Sequence, residues 1–170
     1  MTQKESCLWL AGRFAPMFTW NPGSPVNRVA LIKALMEVET DGGDRAEAAR
    51  FEPHLVRAVK KAHPGAYRRY GDRLAASYGP MQVLATTALE LGMEGPPDRL
   101  AQPEIGIFWA IEYLNTRLAR PSHEFVKRLT ELDQVRAVAD LYNSGNAADA
   151  NKPIDYIEKV QMAYKKWKGA

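Results

Sequence analysis

Glu39 is a carboxylate in a helix position where the surrounding pattern calls for an apolar side chain. Residues 26–39 contain an apolar helix face whose members recur at three- and four-residue spacing, namely Ile32, Leu35 and Met36. Glu39 continues that face, whereas Glu37 falls on the opposite side, where we expect it to pair with Lys33. Because a carboxylate at the edge of a core loses hydration, its pKa rises and it can donate a proton near neutral pH. Glu39 therefore has the profile of a general acid; the alternative is that it points into water at a fraying helix end.

Two further segments combine turn residues with polar side chains that could orient a ligand. Gly79 and Pro80 predict a turn into a new helix whose first turn carries Gln82. Tyr142 and Asn143 close an apolar stripe at a predicted helix end. Gly-Pro turns and polar helix ends are common in helical proteins, so each segment taken singly favours a structural role.

Taken together and in this order, the segments resemble the soluble, lysozyme-like lytic transglycosylases, the SLT-type family that groups with goose-type lysozyme. The family pattern is Glu-Ser, Gly-Leu-Met-Gln, Tyr-Leu and then Ala-x-x-Tyr-Asn-x-Gly. Here these elements read as Glu39-Thr40, Gly79-Pro80-Met81-Gln82, Tyr113-Leu114 and Ala139-Asp140-Leu141-Tyr142-Asn143-Ser144-Gly145, and the segment Asp155-Tyr156-Ile157-Glu158-Lys159-Val160 looks like the family's last helix. The resemblance covers residues 26–164. Thr40 replaces a Ser, Pro80 replaces a Leu, and the long stretch 41–73 looks more like phage-type peptidoglycan hydrolases.

The resemblance implies acid-catalysed cleavage of bacterial peptidoglycan without a cofactor. Glu39 would protonate the glycosidic oxygen between N-acetylmuramic acid and N-acetylglucosamine. The ionised carboxylate would then remove the proton from the muramyl C6 hydroxyl, which closes a 1,6-anhydro ring and consumes no water.

The resemblance also implies a set of substrate-binding residues around Glu39, which are Thr40, Met81, Gln82, Tyr113, Tyr142 and Asn143. Tyr142 would hold Glu39 by a hydrogen bond or support the oxocarbenium-like sugar. Gln82 and Asn143 would line a groove beside Glu39 and orient the sugar. For Met81 the favoured reading is packing beneath the floor of that groove.

Two alternative functions stay open. An inverting muramidase needs a second carboxylate about 6.5–9.5 Å from the acid to activate water. The candidates are Asp41, Asp44 and Glu52, although each reads more simply as a loop or helix-cap residue. A catalytically silent domain that only binds glycan strands or serves as a scaffold could dispense with the acid, so Glu39 favours an enzyme.

The elements that position these residues are predicted to be helices of a single domain, residues 1–170. The 170 residues are 46% hydrophobic and 25% charged, which suffices for one core. The only cysteine, Cys7, excludes an intramolecular disulfide. Every long periodic segment is helical, so we predict an all-α, lysozyme-like fold with room for a short β-hairpin after the first long helix.

The predicted helices span about 26–39, 45–63 (as one helix or two short ones, stopped by Pro64-Gly65), 80–91, 103–120, 123–142 and 153–167. Their predicted inward residues, beyond those of the first helix, are Leu55, Val56, Val59, Met81, Leu84, Ala88, Leu91, Ile107, Ala110, Ile111, Leu114, Leu132, Val135, Ala139, Tyr142, Ile154, Ile157, Val160, Ala163 and Tyr164.

Composition argues against several other classes of protein. The scattered His54, His63 and His123 show no zinc spacing, so no metal site is predicted. A net charge of +3 does not indicate a polyanionic partner. Because the helices use their periodicity for burial, no nucleic-acid recognition face is expected, and the basic end 165–168 reads as a solvated helix terminus.

No membrane insertion and no secretion signal are predicted. The apolar stretch 7–20 is interrupted by Arg13 and Pro16 and is too short to cross a bilayer, so it reads as packed N-terminal structure. We expect a monomer whose partner is peptidoglycan and which acts at the cell wall. Without a signal peptide, such a chain would be phage-borne, holin-released or a processed form.

Overall fold

The computed structural model describes residues 1–144 and 154–170, apart from the side chain of Ile154. Within these ranges the α-helices are α1 (Gln3–Phe14), α2 (Arg28–Thr40), α3 (Val56–Ala62), α4 (Pro64–Tyr70), α5 (Ala85–Glu90), α6 (Pro103–Leu118), α7 (Glu131–Ser144) and α8 (Ile154–Lys168). Short 3₁₀ helices cover Ala15–Met17, Pro53–Leu55, Gly71–Ala75, Pro97–Ala101 and Pro121–Arg128. The predictions that concern Gly145, Pro153 and the inward face of Ile154 lie outside the described residues.

A small antiparallel sheet accompanies the helices. Its strands, in spatial order, are β1 (Arg50–Phe51), β2 (Ala76–Tyr78) and β3 (Val83–Leu84). Ser77 lies at the centre, opposite Arg50 on one side and Leu84 on the other. The all-α fold with a short hairpin after the first long helix is thereby confirmed.

Helix α2 runs through the centre of the molecule. The side chain of Asn27 caps its first turn by accepting from the amide of Ala30 at 3.0 Å. Asp41 ends it in the left-handed conformation, with φ of 55°. Its buried residues lie all around the helix, which is typical of a core element, and they are Ala30, Leu31, Ile32, Ala34, Leu35, Met36 and Thr40. Helix α8 packs along α2 over most of its length.

The contact of α2 with α8 corrects the predicted pair of Lys33 and Glu37. The carboxylate of Glu37 accepts from the ammonium of Lys166 at 2.9 Å and from the indole N–H of Trp167 at 2.6 Å. Lys33 lies over the ring of Trp167 instead, with its nitrogen 4.8 Å from the ring centroid. The partner on α8 replaces the partner one turn away because α8 covers this side of α2.

Most predicted inward faces are confirmed. The buried residues include Val59, Ala88, Ile107, Ala110, Ile111, Leu114, Val135, Ala139, Ile157, Val160, Ala163 and Tyr164. Leu132 is an exception, because its side chain is 37% exposed. The predicted helix 123–142 begins only at Glu131, since the hydroxyl of Thr130 accepts from the amide of Asp133 and caps a new helix there. Leu132 consequently lies in the first turn of α7 and is exposed there.

Two predicted helices are partly wrong. The helix expected from Pro80 begins at Ala85, because Gly79 and Gln82 both have positive φ, of 78° and 49°, and close a turn between β2 and β3. In the segment 45–63, β1 precedes the helical part and pairs with β2. Helix α3 ends at Ala62, directly before Pro64 as predicted, and Pro64 also starts α4, because a proline fits the first helical turn.

Among the described residues, no helix combines the length and the apolar character that a bilayer crossing requires.

Candidate active site

Glu39 lies in the last turn of α2, half-buried at the edge of the core. Two cavities, of about 410 and 670 Å³, adjoin this side chain, and they share the lining residues Glu39, Arg50, Gln82 and Asn143. Volumes of this order are typical of small-molecule sites. The prediction that Gln82 and Asn143 line a groove beside Glu39 is confirmed, and the groove continues on both sides of the carboxylate.

The two cavities differ in the side chains that surround them. The smaller one, which we call the aromatic cavity, is lined by Tyr113 and Tyr142 and also by Glu52. The larger one, which we call the basic cavity, is lined by Arg45 and Lys159. The carboxyl of Glu39 therefore lies between a cavity with aromatic residues in its wall and a cavity with additional cationic residues in its wall.

Tyr156 of α8 holds Glu39 in place. Its hydroxyl donates to Oε1 of Glu39 at 2.7 Å across the contact between α2 and α8. Burial raises the pKa of the Glu39 carboxyl, while this hydrogen bond and the positive charge of Arg50 lower it, and burial has the larger effect. A carboxyl with a raised pKa that opens into a cavity can donate a proton to a bound ligand.

Tyr142 does not have the hydrogen bond that was predicted for it. Its hydroxyl donates to the backbone carbonyl of Met81 at 2.5 Å, so it ties α7 to the turn between β2 and β3. Burial, followed by the nearby negative charge of Glu39, holds the pKa of the Tyr142 phenol well above its ordinary value. Its other predicted role, support of a positively charged sugar, stays a prediction.

Thr40 connects the end of α2 to the same turn. Its buried hydroxyl donates to the backbone carbonyl of Pro80 at 2.6 Å and accepts from the amide of Gly43 at 3.1 Å. These bonds position the neighbouring Glu39 relative to Gln82. The hydroxyl of Thr40 is engaged in these backbone contacts, and a direct contact of Thr40 with substrate stays a prediction.

In the turn between β2 and β3, Gln82 lines the groove and Met81 is buried in the core. The amide nitrogen of Gln82 donates to the carbonyls of Ala48 and Gly79, at 3.0 and 3.1 Å, and its amide oxygen accepts from Ser77 at 3.3 Å. The side chain is thus held at the wall that both cavities share. Met81 is fully buried, which agrees with the favoured reading of core packing beneath the groove.

Tyr113 and Asn143 complete the aromatic cavity. The ring of Tyr113 meets that of Tyr142 edge to face at 5.9 Å, and its hydroxyl donates to the carbonyl of Leu141 at 3.2 Å. Asn143 is exposed at the end of α7 and lines both cavities. Both positions allow the predicted contacts with a ligand.

Of the three candidate second carboxylates, Glu52 lines the aromatic cavity together with Glu39. Its Oε1 accepts from Nε of Arg50 at 2.7 Å, and its side chain is only 23% exposed. Asp41 and Asp44 instead form exposed ion pairs with Arg45 and Lys4, both at 3.3 Å. Of these three carboxylates, Glu52 alone shares a cavity with Glu39.

Two residues at the site had no role in the sequence-based prediction. Tyr156 was matched only as part of the last helix, although its position four residues before the buried Val160 signals that it faces the core. Arg50 was counted only as part of the long segment after Glu39. Its pairing with the sheet places it beside the acid, and no local pattern carries that information.

For the glycan cleavage that the motif resemblance predicts, we expect Tyr156→Phe to lower kcat/KM about tenfold, because a hydrogen bond to an ionised group is lost. The same bond lowers the pKa of Glu39, so its removal raises that pKa. Activity that requires protonated Glu39 falls as the pH rises through its pKa. The basic limb of the pH–rate profile therefore moves to higher pH, and kcat/KM measured across pH tests this.

Tyr142→Phe is the matched control, since it removes a phenol hydroxyl that bonds to the Met81 carbonyl rather than to Glu39. Its basic limb is expected to stay where it is in the wild type. A Tyr156→Phe profile that coincides with the wild-type profile would contradict the assigned contact.

Among residues 1–144 and 154–170, no group of three His, Cys, Asp or Glu side chains is arranged to hold a metal ion. Comparisons with protein-family models, with curated proteins and with solved structures each found no match to this chain.

Proposed function

We propose that this chain cleaves the β-1,4 bond between N-acetylmuramic acid and N-acetylglucosamine in bacterial peptidoglycan, with Glu39 as the proton donor. The observation that carries the proposal is the carboxyl of Glu39 itself, which is half-buried, has a raised pKa and opens into a groove on both sides. The ordered motifs around it add support, because Gln82 and Asn143 line that groove.

In the reaction that the motif resemblance favours, the chain is a lytic transglycosylase. Glu39 protonates the glycosidic oxygen while the bond from that oxygen to the muramyl C1 breaks. The carboxylate that remains then accepts the proton of the muramyl C6 hydroxyl, whose oxygen bonds to C1. Tyr156 supports both steps, since its hydroxyl donates to the ionised form and keeps the carboxyl oriented.

Hydrolysis is the second candidate, and the position of Glu52 favours it. In an inverting muramidase a second carboxylate accepts a proton from water as the water oxygen attacks C1. Glu52 lines the same cavity as Glu39, and its Oε1 accepts from Nε of Arg50 at 2.7 Å, which holds the carboxylate at the cavity wall.

Product masses after digestion of purified peptidoglycan test the proposal and separate the two reactions. Transglycosylation is expected to yield 1,6-anhydromuramyl ends, which are lighter by one water than the reducing ends that hydrolysis leaves. If Glu52 is the base, Glu52→Gln should lose about 10²- to 10⁴-fold in kcat with reducing ends as products. If the products are anhydro sugars, Glu52→Gln should change kcat little. No cleavage by the wild-type protein would contradict the proposed function and leave a glycan-binding or scaffold role.

A further inference from the structure

A basic surface lies outside the groove, on the two short helices α3 and α4, which pack against each other. Its five exposed cations, which together we call the α3–α4 basic surface, are Arg57, Lys60, Lys61, Arg68 and Arg69. None of them forms an ion pair with a carboxylate of the described residues, and none lines either cavity beside Glu39. The five charges exceed the formal net charge of the whole chain, +3, so the rest of the chain is net acidic.

The arrangement of these cations does not stabilise the helices that carry them. Arg57, Lys60 and Lys61 are spaced by three and four residues, which brings them to the same face of α3. Like charges at this spacing destabilise a helix, and neither α3 nor α4 contains an acidic residue that could offset them. An anionic partner would relieve this repulsion.

The two helices are mostly exposed to solvent. Val59 is the only buried residue in either of them. The positions between the cations are occupied by small residues, of which Ala58, Ala62 and Gly65 are exposed. A surface of this kind offers charge without a cavity, whereas a small ligand binds in a concave site. The α3–α4 basic surface therefore fits a broad anionic partner.

Two half-buried tyrosines of α4, Tyr67 and Tyr70, lie among the cations. The ammonium of Lys60 lies 5.7 Å from the centroid of the Tyr67 ring. The guanidinium of Arg69 lies 5.2 Å from the centroid of the Tyr70 ring. Rings that are covered by cations are not open platforms for stacking nucleic-acid bases. Tyrosine beside Lys and Arg is instead typical of protein surfaces at the level of lipid headgroups.

We propose that the α3–α4 basic surface docks this protein on a bilayer that contains anionic phospholipids, by surface contact and without insertion. Clusters of four to eight Lys and Arg residues suffice for such binding. The groove would then be held near the bilayer, because α3 begins directly after His54 and Leu55, which line the aromatic cavity. The docking does not involve Glu39, so Glu39→Gln should bind vesicles as the wild type does, whether or not the proposed cleavage occurs.

Co-sedimentation with lipid vesicles tests the docking. The wild type is expected to bind vesicles of phosphatidylglycerol and phosphatidylethanolamine in equal amounts, and not vesicles of phosphatidylcholine. A cation near an anionic bilayer contributes about fivefold to binding, so the triple variant Arg57→Gln, Lys60→Gln, Lys61→Gln should lower the partition coefficient about a hundredfold. Added salt should weaken wild-type binding, because it screens exposed charges.

The matched control removes the same charge from exposed cations on other elements, in the triple variant Arg128→Gln, Arg136→Gln, Lys165→Gln. Its partition coefficient is expected to stay close to that of the wild type, since screening limits the effect of distant charges. An equal loss in both triple variants would show that net charge alone drives binding, which overturns the proposed surface.

Two further results would also overturn the proposal. One is the absence of wild-type binding to the anionic vesicles. The other is tighter binding to a DNA duplex at equal phosphate concentration that the α3 triple variant loses, since the surface would then serve nucleic acid. Thermal unfolding identifies a loss that comes from misfolding. In that case Arg68→Gln, Arg69→Gln on α4 repeats the test, with an expected loss of about 25-fold.

Discussion

Glu39→Gln is expected to abolish cleavage of purified peptidoglycan, with a loss in kcat of at least about a thousandfold. General acid catalysis contributes about 10²- to 10⁴-fold, and an amide cannot supply the proton. The Gln side chain has the same shape, and its oxygen can still accept from the hydroxyl of Tyr156. Release of soluble muropeptides measures the activity, and circular dichroism checks that the fold is retained.

Glu37→Gln is the matched control for this experiment. Glu37 lies two residues before Glu39 on the same helix, but its carboxylate is bound by Lys166 and Trp167 of α8 and does not line either cavity. The activity of the Glu37→Gln variant is expected to equal that of the wild type. Unchanged turnover by Glu39→Gln would remove Glu39 from the mechanism.

The Glu39→Gln variant can also be tested by its stability. A carboxyl whose pKa is raised in the folded state contributes stability that is fully present below its unfolded pKa and is lost as the pH rises through its folded pKa. Because a Gln side chain does not ionise, the Glu39→Gln variant does not lose this stability as the pH rises. The free energy of unfolding of the variant should therefore match or exceed that of the wild type at neutral pH, and the advantage should vanish in acid.

Gly79→Ala is expected to lower the free energy of unfolding by about 4 kcal/mol, or to prevent folding. Gly79 has φ of 78°, in a region that costs other residues about 1–2 kcal/mol. A Cβ there would also lie 2.2 Å from the backbone oxygen of Leu100, and neither backbone can yield easily. The turn that carries Gln82 must shift, so activity is expected to fall as well. Urea denaturation measures the effect.

Gly12→Ala is the matched control, because Gly12 lies inside α1 and a Cβ there meets no atom within 4 Å apart from its chain neighbours and the nearby backbone of its own helix. Removing a glycine from a helix is expected to stabilise the fold by about 0.5–1 kcal/mol. A Gly79→Ala variant as stable as the wild type would show that this turn has a different backbone conformation.

The helical faces were predictable because helix periodicity is a local property. In α6, Ile107, Ala110, Ile111 and Leu114 repeat at three- and four-residue spacing and are all fully buried. The same periodicity failed for Leu132, where it continued across a boundary that the Thr130 cap imposes. It also failed at Pro80, since a turn with two positive φ angles leaves no mark in hydrophobic spacing.

The part of the site that lies on a single helix was predictable from the sequence. Glu39 stood out because it interrupts an apolar stripe of α2, and the groove beside it is lined by Gln82 and Asn143 as expected. The hydrogen-bonding partners were not predictable. Tyr142 and Tyr156 are both tyrosines on helices that face the acid, and sequence spacing cannot decide which hydroxyl reaches it.

The sequence by itself determined most of the helices, most of their buried faces and the place of Glu39 at the edge of the core, because these depend on residues within a few turns of each other. The tertiary structure alone decided that Tyr156, 117 residues from Glu39, bonds to it, and that Tyr142 reaches the Met81 carbonyl, 61 residues away. It also decided that Glu52 shares a cavity with the acid while Asp41 and Asp44 do not. Hydrogen bonds act over about 3 Å in space, and the packing of α2 against α8 and of the turn against α7 sets which distant residues come within that range.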